Sequence, residues 1–171
     1  MDPFDPCLAF TLAQEGGFSD DALDPGGATM HGLIMSDLLH WDRDATVADL
    51  KAMPDDLVAA IYRALYWQPI RGASLWPGLD LAMFDHAVNC GVGTATKILQ
   101  RLLHVTPDGG LGPVTASAAR AVPLANRAAF LGNVAAAQSA AYRALRLFPT
   151  FGRGWIARSE RRAAAAVALL A

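Results

Sequence analysis

The sequence predicts a mainly α-helical fold, with at most a short β-hairpin in the loop after the first helix. Apolar residues recur at helical spacing through most of the chain. Proline and glycine fall where such segments begin and end. No run alternates between apolar and polar residues for long enough to build a sheet. The 171 residues, 53% of them hydrophobic, are enough for one compact core.

The first helix and the loop after it are marked by local signals. Asp5–Pro6 supplies a capping side chain followed by proline, which predicts a helix that runs to about Glu15. Gly16–Gly17 predicts its end. Residues 18–34 are rich in glycine and polar residues and are predicted to form a loop, with a short hairpin through Met30–Ile34.

The rest of the chain is predicted to be helical. The segments are 46–53, a helix opening at Pro54, 79–89, 94–103, a helix opening at Pro113, 124–147 and 154–171. Segment 79–89 is almost wholly apolar except for Asp80, Asp85 and His86. That pattern is typical of a central, buried helix.

Charge and composition limit the classes of partner. The net charge of -2 gives no basic excess, so we expect no nucleic-acid binding. The C-terminal part is locally basic, and Glu160 is the only acid among its arginines: Arg143, Arg146, Arg153, Arg158, Arg161 and Arg162. This segment is interpreted either as a face toward an anionic polymer such as a cell wall or as a solvated helix face.

Cysteine, histidine and the N-terminus carry further expectations. Cys7 and Cys90 have apolar neighbours and are expected to be buried free thiols, with a disulfide between them left open. The four histidines show no paired-ligand spacing, so neither a metal nor a cofactor is expected. The N-terminus lacks the pattern of a signal peptide, and no segment suits stable membrane insertion. We therefore expect that the protein is made in the cytoplasm. We also expect it to be a monomer.

Glu15 is the strongest candidate for a catalytic acid. Leu8, Leu12 and Glu15 lie on one helical face, which places the carboxyl on an apolar side. Glu15 also falls in the last helical turn, where the helix dipole is negative, and the first 42 residues contain no lysine or arginine. All three features disfavour a carboxylate and favour the protonated acid.

Asp24 and Thr29 follow at nine and fourteen residues from Glu15, on a glycine-rich loop that can fold back toward it. A protonated and an ionised carboxyl across a gap form the arrangement that glycoside hydrolysis needs. Thr29 could position a water molecule or act through Asp24. The alternative for Asp24 is a turn residue before Pro25.

Four sequence blocks follow one another along nearly the whole chain. They are Glu15–Asp20 with Asp24–Thr29 and Gly32–Leu33; Phe84–Gly91; Ala95–Leu103 with Asp108–Gly109 and Gly112–Thr115; and Phe148–Trp155 with Arg158. In this order they resemble the N-acetylmuramidases of glycoside hydrolase family 108, which include phage endolysins and bacterial secretion activator proteins. The resemblance implies a lysozyme-like helical fold, a catalytic lobe over 1–80 and a peptidoglycan-binding helical lobe over 81–171, packed as one unit.

The resemblance also implies roles for individual residues. Glu15 matches the family's catalytic glutamate, and Asp24 and Thr29 match the loop that faces it. Asn89 matches a polar position across the groove and is a candidate sugar contact, with a helix C-cap as the alternative. Asp85 is a second candidate for substrate binding, with a hydrogen-bonding role at the edge of the core as the alternative.

His31 departs from the family pattern, which usually has an aromatic residue, often tyrosine, before this glycine. An imidazole can stack on a sugar or hydrogen-bond to it, so His31 remains a candidate substrate-binding residue. Trp41, Trp67 and Trp76 are candidate platforms for sugar stacking, although tryptophan is more often part of the core.

The predicted function is hydrolysis of the β-1,4 bond between N-acetylmuramic acid and N-acetylglucosamine in peptidoglycan. Because no signal peptide is apparent, a holin or an export system would have to release the enzyme to the periplasm or cell wall. The alternatives are a non-catalytic peptidoglycan-binding module and an accessory of protein export.

Overall fold

A computed structural model describes residues 2–19 and 27–171, and helices dominate this part of the chain. The elements are α1 Phe4–Leu12, β1 Thr29–Met30, β2 Leu33–Ile34, α2 Met35–Leu39, α3 Val47–Lys51, α4 Asp55–Tyr62, α5 Leu79–Cys90, α6 Val92–Leu102, α7 Pro113–Arg120, α8 Arg127–Arg143 and α9 Phe148–Ala168. A π-helical turn over Arg63–Trp67 continues α4. The predicted mainly α-helical, lysozyme-like class with one short hairpin is confirmed.

Helix α1 begins earlier and ends earlier than the sequence predicted. The carboxylate of Asp2 accepts a hydrogen bond of 3.0 Å from the backbone N–H of Phe4, so capping comes from Asp2 and not from Asp5. Regular helix ends at Leu12, but the N–H of Glu15 still donates to the carbonyls of Thr11 and Leu12, each at 3.2 Å. Glu15 therefore lies in the turn that closes α1.

The predicted hairpin forms from two-residue strands. Thr29 pairs with Ile34 and Met30 with Leu33 in an antiparallel register. The turn between them is His31–Gly32, with φ of 51° and 77°, the left-handed pair that a tight two-residue hairpin requires. Thr29 also bridges back to Ser19, which ties the hairpin to the segment that follows Glu15.

Helix α5 is the central helix, as its apolar sequence predicted. It packs against α1 on one side and against α6, α8 and α9 on the others. The predicted boundary between residues 80 and 81 falls in the first turn of this shared helix, so both halves bury side chains on one element. The division into two lobes stays a prediction.

The last two helices meet at a tight corner. The sequence placed a helix end before Pro149, whereas α8 ends at Arg143 and α9 already begins at Phe148. Pro149 thus stands in the first turn of α9, where its missing N–H is not needed. Within the described ranges, no helix is long and apolar enough to cross a membrane.

The candidate aromatic platforms and the two cysteines differ in how far they are buried. Trp67 and Trp76 are core residues, and the indole of Trp76 donates to the carbonyl of Ala119 at 2.9 Å, so neither can stack on a sugar at the surface. Trp41 is exposed. Cys7 and Cys90 are both free thiols, the first buried and the second half-buried.

His86 is a buried, neutral histidine of α5. Its Nδ1 lies 3.1 Å from the hydroxyl of Tyr142, and Nε2 has no hydrogen-bond partner among the described residues. Burial, followed by the charge of Arg162, lowers the pKa of His86 from 6.5 to about 3. Below pH 6.5 the His86 side chain therefore binds a proton in the unfolded chain but stays neutral in the folded chain. For this reason the free energy of unfolding decreases as the pH falls from 6.5 toward 3.

We predict that His86→Gln flattens the dependence of stability on pH. Each pH unit below 6.5 removes about 1.4 kcal/mol through His86, or about 2 kcal/mol by pH 5. Asp80 acts in the opposite sense, because burial raises its pKa to about 6. Both proteins contain Asp80, so the difference between them isolates the effect of His86. Their stabilities are measured in urea at pH 7.5 and at about pH 5. His40→Gln, an exposed control, should keep the wild-type slope. Identical slopes for wild type and His86→Gln would contradict the prediction.

Candidate active site

The carboxyl of Glu15 lies where α9, the hairpin turn and the turn after α1 meet. Arg158 of α9 donates from Nη1 to Oε1 of Glu15 at 2.7 Å. The side chain of Glu15 is 18% exposed and that of Arg158 is 10% exposed, so the pair is largely shielded but still reachable from solvent. This contact joins residues 143 positions apart in the sequence.

The hairpin turn presents bare backbone to the other carboxyl oxygen. A Cβ atom built on Gly32 would lie 2.9 Å from Oε2 of Glu15, closer than real side chains come. The hydroxyl of Tyr62 donates to the carbonyl of His31 and so holds the turn in place. Burial and then the nearby Glu15 raise the pKa of Tyr62, which keeps this donor neutral.

Arg158 is itself held by a buried carboxylate. Its Nε lies 3.1 Å from each oxygen of Asp85, and its Nη2 lies 2.7 Å from Oδ1. Arg162, one helical turn later on α9, donates from Nη1 to Oδ2 of Asp85 at 2.8 Å. One carboxylate therefore fixes two arginines of the last helix against the central helix.

Hydrogen bonds complete the surroundings of this cluster. Thr11 of α1 donates to Oδ1 of Asp85 at 3.2 Å, and Arg162 donates to Gln138 of α8 at 2.8 Å. Gln138 in turn donates to the carbonyl of Ala82 at 3.2 Å. Burial alone would raise the pKa of Asp85, but Arg158 and then Arg162 hold it below its ordinary value, so the carboxylate stays ionised.

Two expectations about this region are corrected. The prediction that no cation lies near Glu15 is wrong, because Arg158 arrives from the far end of the chain. Asp85 has no exposed surface, and its oxygens are taken up by protein donors. It can therefore position Arg158 but cannot contact a sugar directly, which matches the alternative of a hydrogen-bonding core residue.

The other candidate residues fall in three places. Thr29 and His31 are half-buried on the hairpin that touches Glu15. Asn89 is half-buried near the end of α5, four residues after Asp85 and so on the same helical face; Gly91, with φ of 83°, is the C-cap in its place. Asp24 lies outside the residues that the structure describes.

Three site residues were not anticipated in these roles: Arg158, Arg162 and Tyr62. A partial signal for the arginines was present, because a buried mid-helix aspartate is commonly paired with a cation, and Arg158 and Arg162 stand at i and i+4; Asp80 of the same helix accepts from backbone N–H groups instead. Tyr62 has no such signal, since its role depends on where the hairpin turn lies.

Within 2–19 and 27–171, no group of three or more histidine, cysteine, aspartate or glutamate side chains could hold a metal ion.

Comparison with known proteins places this geometry in a family. The family model described as glycosyl hydrolase 108 matches residues 8–91, from α1 to the end of α5. The solved structure of SagA from Brucella abortus is 32% identical, with a TM-score of 0.86 over 98% of this chain and 95% of that one. No curated protein sequence matches closely enough to count as a relative. On the strength of the family match and of the likeness to SagA over nearly the whole length, the chain belongs to glycosyl hydrolase family 108.

Proposed function

We propose that this chain is an N-acetylmuramidase that cleaves the β-1,4 bond between N-acetylmuramic acid and N-acetylglucosamine, with Glu15 as general acid. The observation that carries the proposal is the environment of one carboxyl group. Arg158 holds Oε1 of Glu15 at 2.7 Å, while Oε2 faces the bare backbone of Gly32. Membership of a glycosidase family supports the same chemistry.

The two carboxyl oxygens have different tasks in this mechanism. Oε1 accepts from Arg158, which sets the orientation of the carboxyl plane. Oε2 carries the proton and gives it to the glycosidic oxygen as the bond to the leaving sugar breaks. The absence of a side chain at Gly32 lets the hairpin turn lie against this oxygen without a clash.

Arg158 imposes a condition on the reaction. Its guanidinium occupies Oε1 of Glu15, so the proton that the carboxyl gives to the glycosidic oxygen has to be carried on Oε2. The anchoring of Arg158 by Asp85 keeps the arginine from following the carboxyl once the proton is transferred.

The remaining residues complete the proposal. Asp24 positions the attacking water or stabilises the oxocarbenium-like state, and Thr29 assists it from the hairpin. A gap of about 6.5–9.5 Å between the carboxyls of Glu15 and Asp24 would imply inversion, and about 5–5.5 Å retention. His31 and Asn89 contact the sugars, and the helical part over 81–171 binds peptidoglycan after a holin or an export system has released the protein.

A non-catalytic wall-binding or export-accessory role is the competing function. The ion pair between Glu15 and Arg158 favours it, because a neutralised carboxylate is also what a silent site would show. The two functions differ in whether purified wall is cleaved, and in whether Glu15 matters for cleavage.

We predict that Glu15→Gln abolishes lysis of purified peptidoglycan. The loss should be at least about 100-fold, because a glutamine keeps an oxygen for Arg158 but has no acidic proton. The measurement is the fall in turbidity of a wall suspension, with Glu160→Gln, an exposed acid of α9, as the matched control. Mass spectrometry of the released muropeptides should show reducing muramic-acid ends. New stem-peptide amines, or equal lysis by wild type and Glu15→Gln, would overturn the proposal.

We predict that Gly32→Ala removes most activity without unfolding the protein. The new methyl group would lie 2.9 Å from Oε2 of Glu15 and push the carboxyl out of its position beside the hairpin turn. Gly109→Ala is the control, because its φ of 87° imposes the same left-handed strain, of about 1–2 kcal/mol, away from Glu15. Both variants should lose similar stability in urea, but only Gly32→Ala should lose more than about tenfold in lysis rate. Equal lysis rates in the two variants would disprove this use of Oε2.

We predict that Arg158→Lys lowers both activity and stability. A single ammonium cannot span Asp85 and Glu15 as the planar guanidinium does. Lysis should fall about tenfold and the free energy of unfolding by about 1–3 kcal/mol, the scale of a lost charged hydrogen bond. Arg161→Lys, an exposed neighbour that hydrogen-bonds to Gln14 at 2.7 Å, should be close to neutral in both measurements. Full activity in Arg158→Lys would show that the charge suffices without the fork geometry.

A further inference from the structure

The corner between α8 and α9 carries several exposed apolar and cationic side chains. Leu145 and Leu147 are each 46% exposed, and Phe151 is 52% exposed. Three exposed arginines lie among them in the sequence. We call this surface the corner patch, and its members are Arg143, Leu145, Arg146, Leu147, Phe151 and Arg153.

The corner patch is a fixed surface and not a loose loop. Backbone hydrogen bonds of 3.0–3.1 Å turn the chain here, from Leu145 to Tyr142, from Phe148 to Leu145 and from Phe151 to Leu147. The ring of Phe151 lies 6.0 Å from that of half-buried Trp155, which stacks on buried Tyr142. The backbone of the corner is therefore fixed by hydrogen bonds, and the ring of Phe151 packs on the aromatic residues next to it.

The arginines of the corner patch carry charge that the described protein does not neutralise. Within residues 2–19 and 27–171, none of the three has an ion-pair partner within 4.0 Å, in contrast to Arg158 and Arg162. No acidic residue occurs between positions 143 and 157. Glu160 lines the grooves beside Arg143 and Arg153 without pairing with either.

We propose that the corner patch docks this protein on the surface of a bilayer rich in anionic phospholipids. Arginine at the headgroup level matches phosphate in charge, and leucine and phenylalanine beside it match the acyl boundary. An anionic glycan would satisfy the arginines but would leave the three large apolar groups in water. A second copy of the chain would bring like charges together across a symmetric interface. The inference is independent of the proposed role of Glu15.

The test is co-sedimentation of the full chain with vesicles of phosphatidylglycerol and phosphatidylcholine, compared with phosphatidylcholine alone. We expect binding at least about tenfold tighter to the anionic vesicles, with loss in high salt. Arg146→Gln with Arg153→Gln should weaken binding about fivefold for each arginine. Their control is Arg101→Gln with Arg120→Gln, which removes two exposed arginines from α6 and α7.

The apolar half of the corner patch has its own comparison. Leu147→Ser with Phe151→Ser should weaken vesicle binding about tenfold, whereas Val114→Ser with Leu124→Ser should not, although the latter two side chains are each 71% exposed. Lipids brominated on their acyl chains should quench tryptophan fluorescence in the wild type and in Trp41→Phe, but not in Trp155→Phe. The wild-type vesicle preference and the quenching stand even if a double variant fails to fold.

Four results would overturn the inference. They are equal binding to both kinds of vesicle, no quenching by brominated lipid, equal loss in patch and control variants, and retention by wall polymer that depends on the arginines but not on Leu147 and Phe151. A dimer in sedimentation velocity that Phe151→Ser dissociates would assign the corner patch to a second copy instead. Vesicle binding that is unchanged in Glu15→Gln keeps this test separate from that of Glu15.

Discussion

The structure depends on one buried carboxylate. Asp85 has no contact with solvent, and two arginines of α9 together with Thr11 of α1 supply its hydrogen bonds. A buried charge left without its partner costs about 3–5 kcal/mol, against a total stability of about 5–15 kcal/mol for a domain of this size. The last helix is therefore not an appendage, because without it the central helix would contain an unpaired charge.

The same cluster links the core to the candidate catalytic group. Arg158 contacts two carboxylates, Asp85 in the core and Glu15 at the edge of the core. Its planar guanidinium donates hydrogen bonds to both. Glu15 is then placed by three elements that are distant in the sequence: the end of α1, the hairpin turn and α9. A substitution in any of these contacting residues therefore changes the position of the Glu15 carboxyl, even though Glu15 itself is unchanged.

Local signals predicted the helices well, and they predicted the electrostatics of the site poorly. The apolar run of 79–89 and the glycine-rich hairpin turn carry their structures in their own residues, so both were foreseen. The surroundings of Glu15 were predicted from the first 42 residues, where no cation occurs, yet the decisive cation lies at position 158. Sequence neighbours determine caps and turns, whereas the charges near a site come from whichever helices pack there. Asp85 in the middle of α5 was the local sign of an arriving arginine, whereas Asp80 in the first turn of that helix accepts from backbone N–H groups.

The arginines of the C-terminal segment look alike in the sequence and divide in the structure. Arg158 and Arg162 point inward, where their charge is matched by Asp85 and Glu15. Arg143, Arg146 and Arg153 stay exposed in the segment that also exposes leucine and phenylalanine, and Arg161 is exposed too but donates to Gln14. Both interpretations of this segment from the sequence, a face toward an anionic polymer or a solvated helix face, would have left all of these arginines exposed. The inward pair neutralises the buried Asp85, and Arg158 also contacts Glu15 in the candidate active site. The outward three remain free to recognise a charged surface, and the apolar groups beside them make that surface a lipid one.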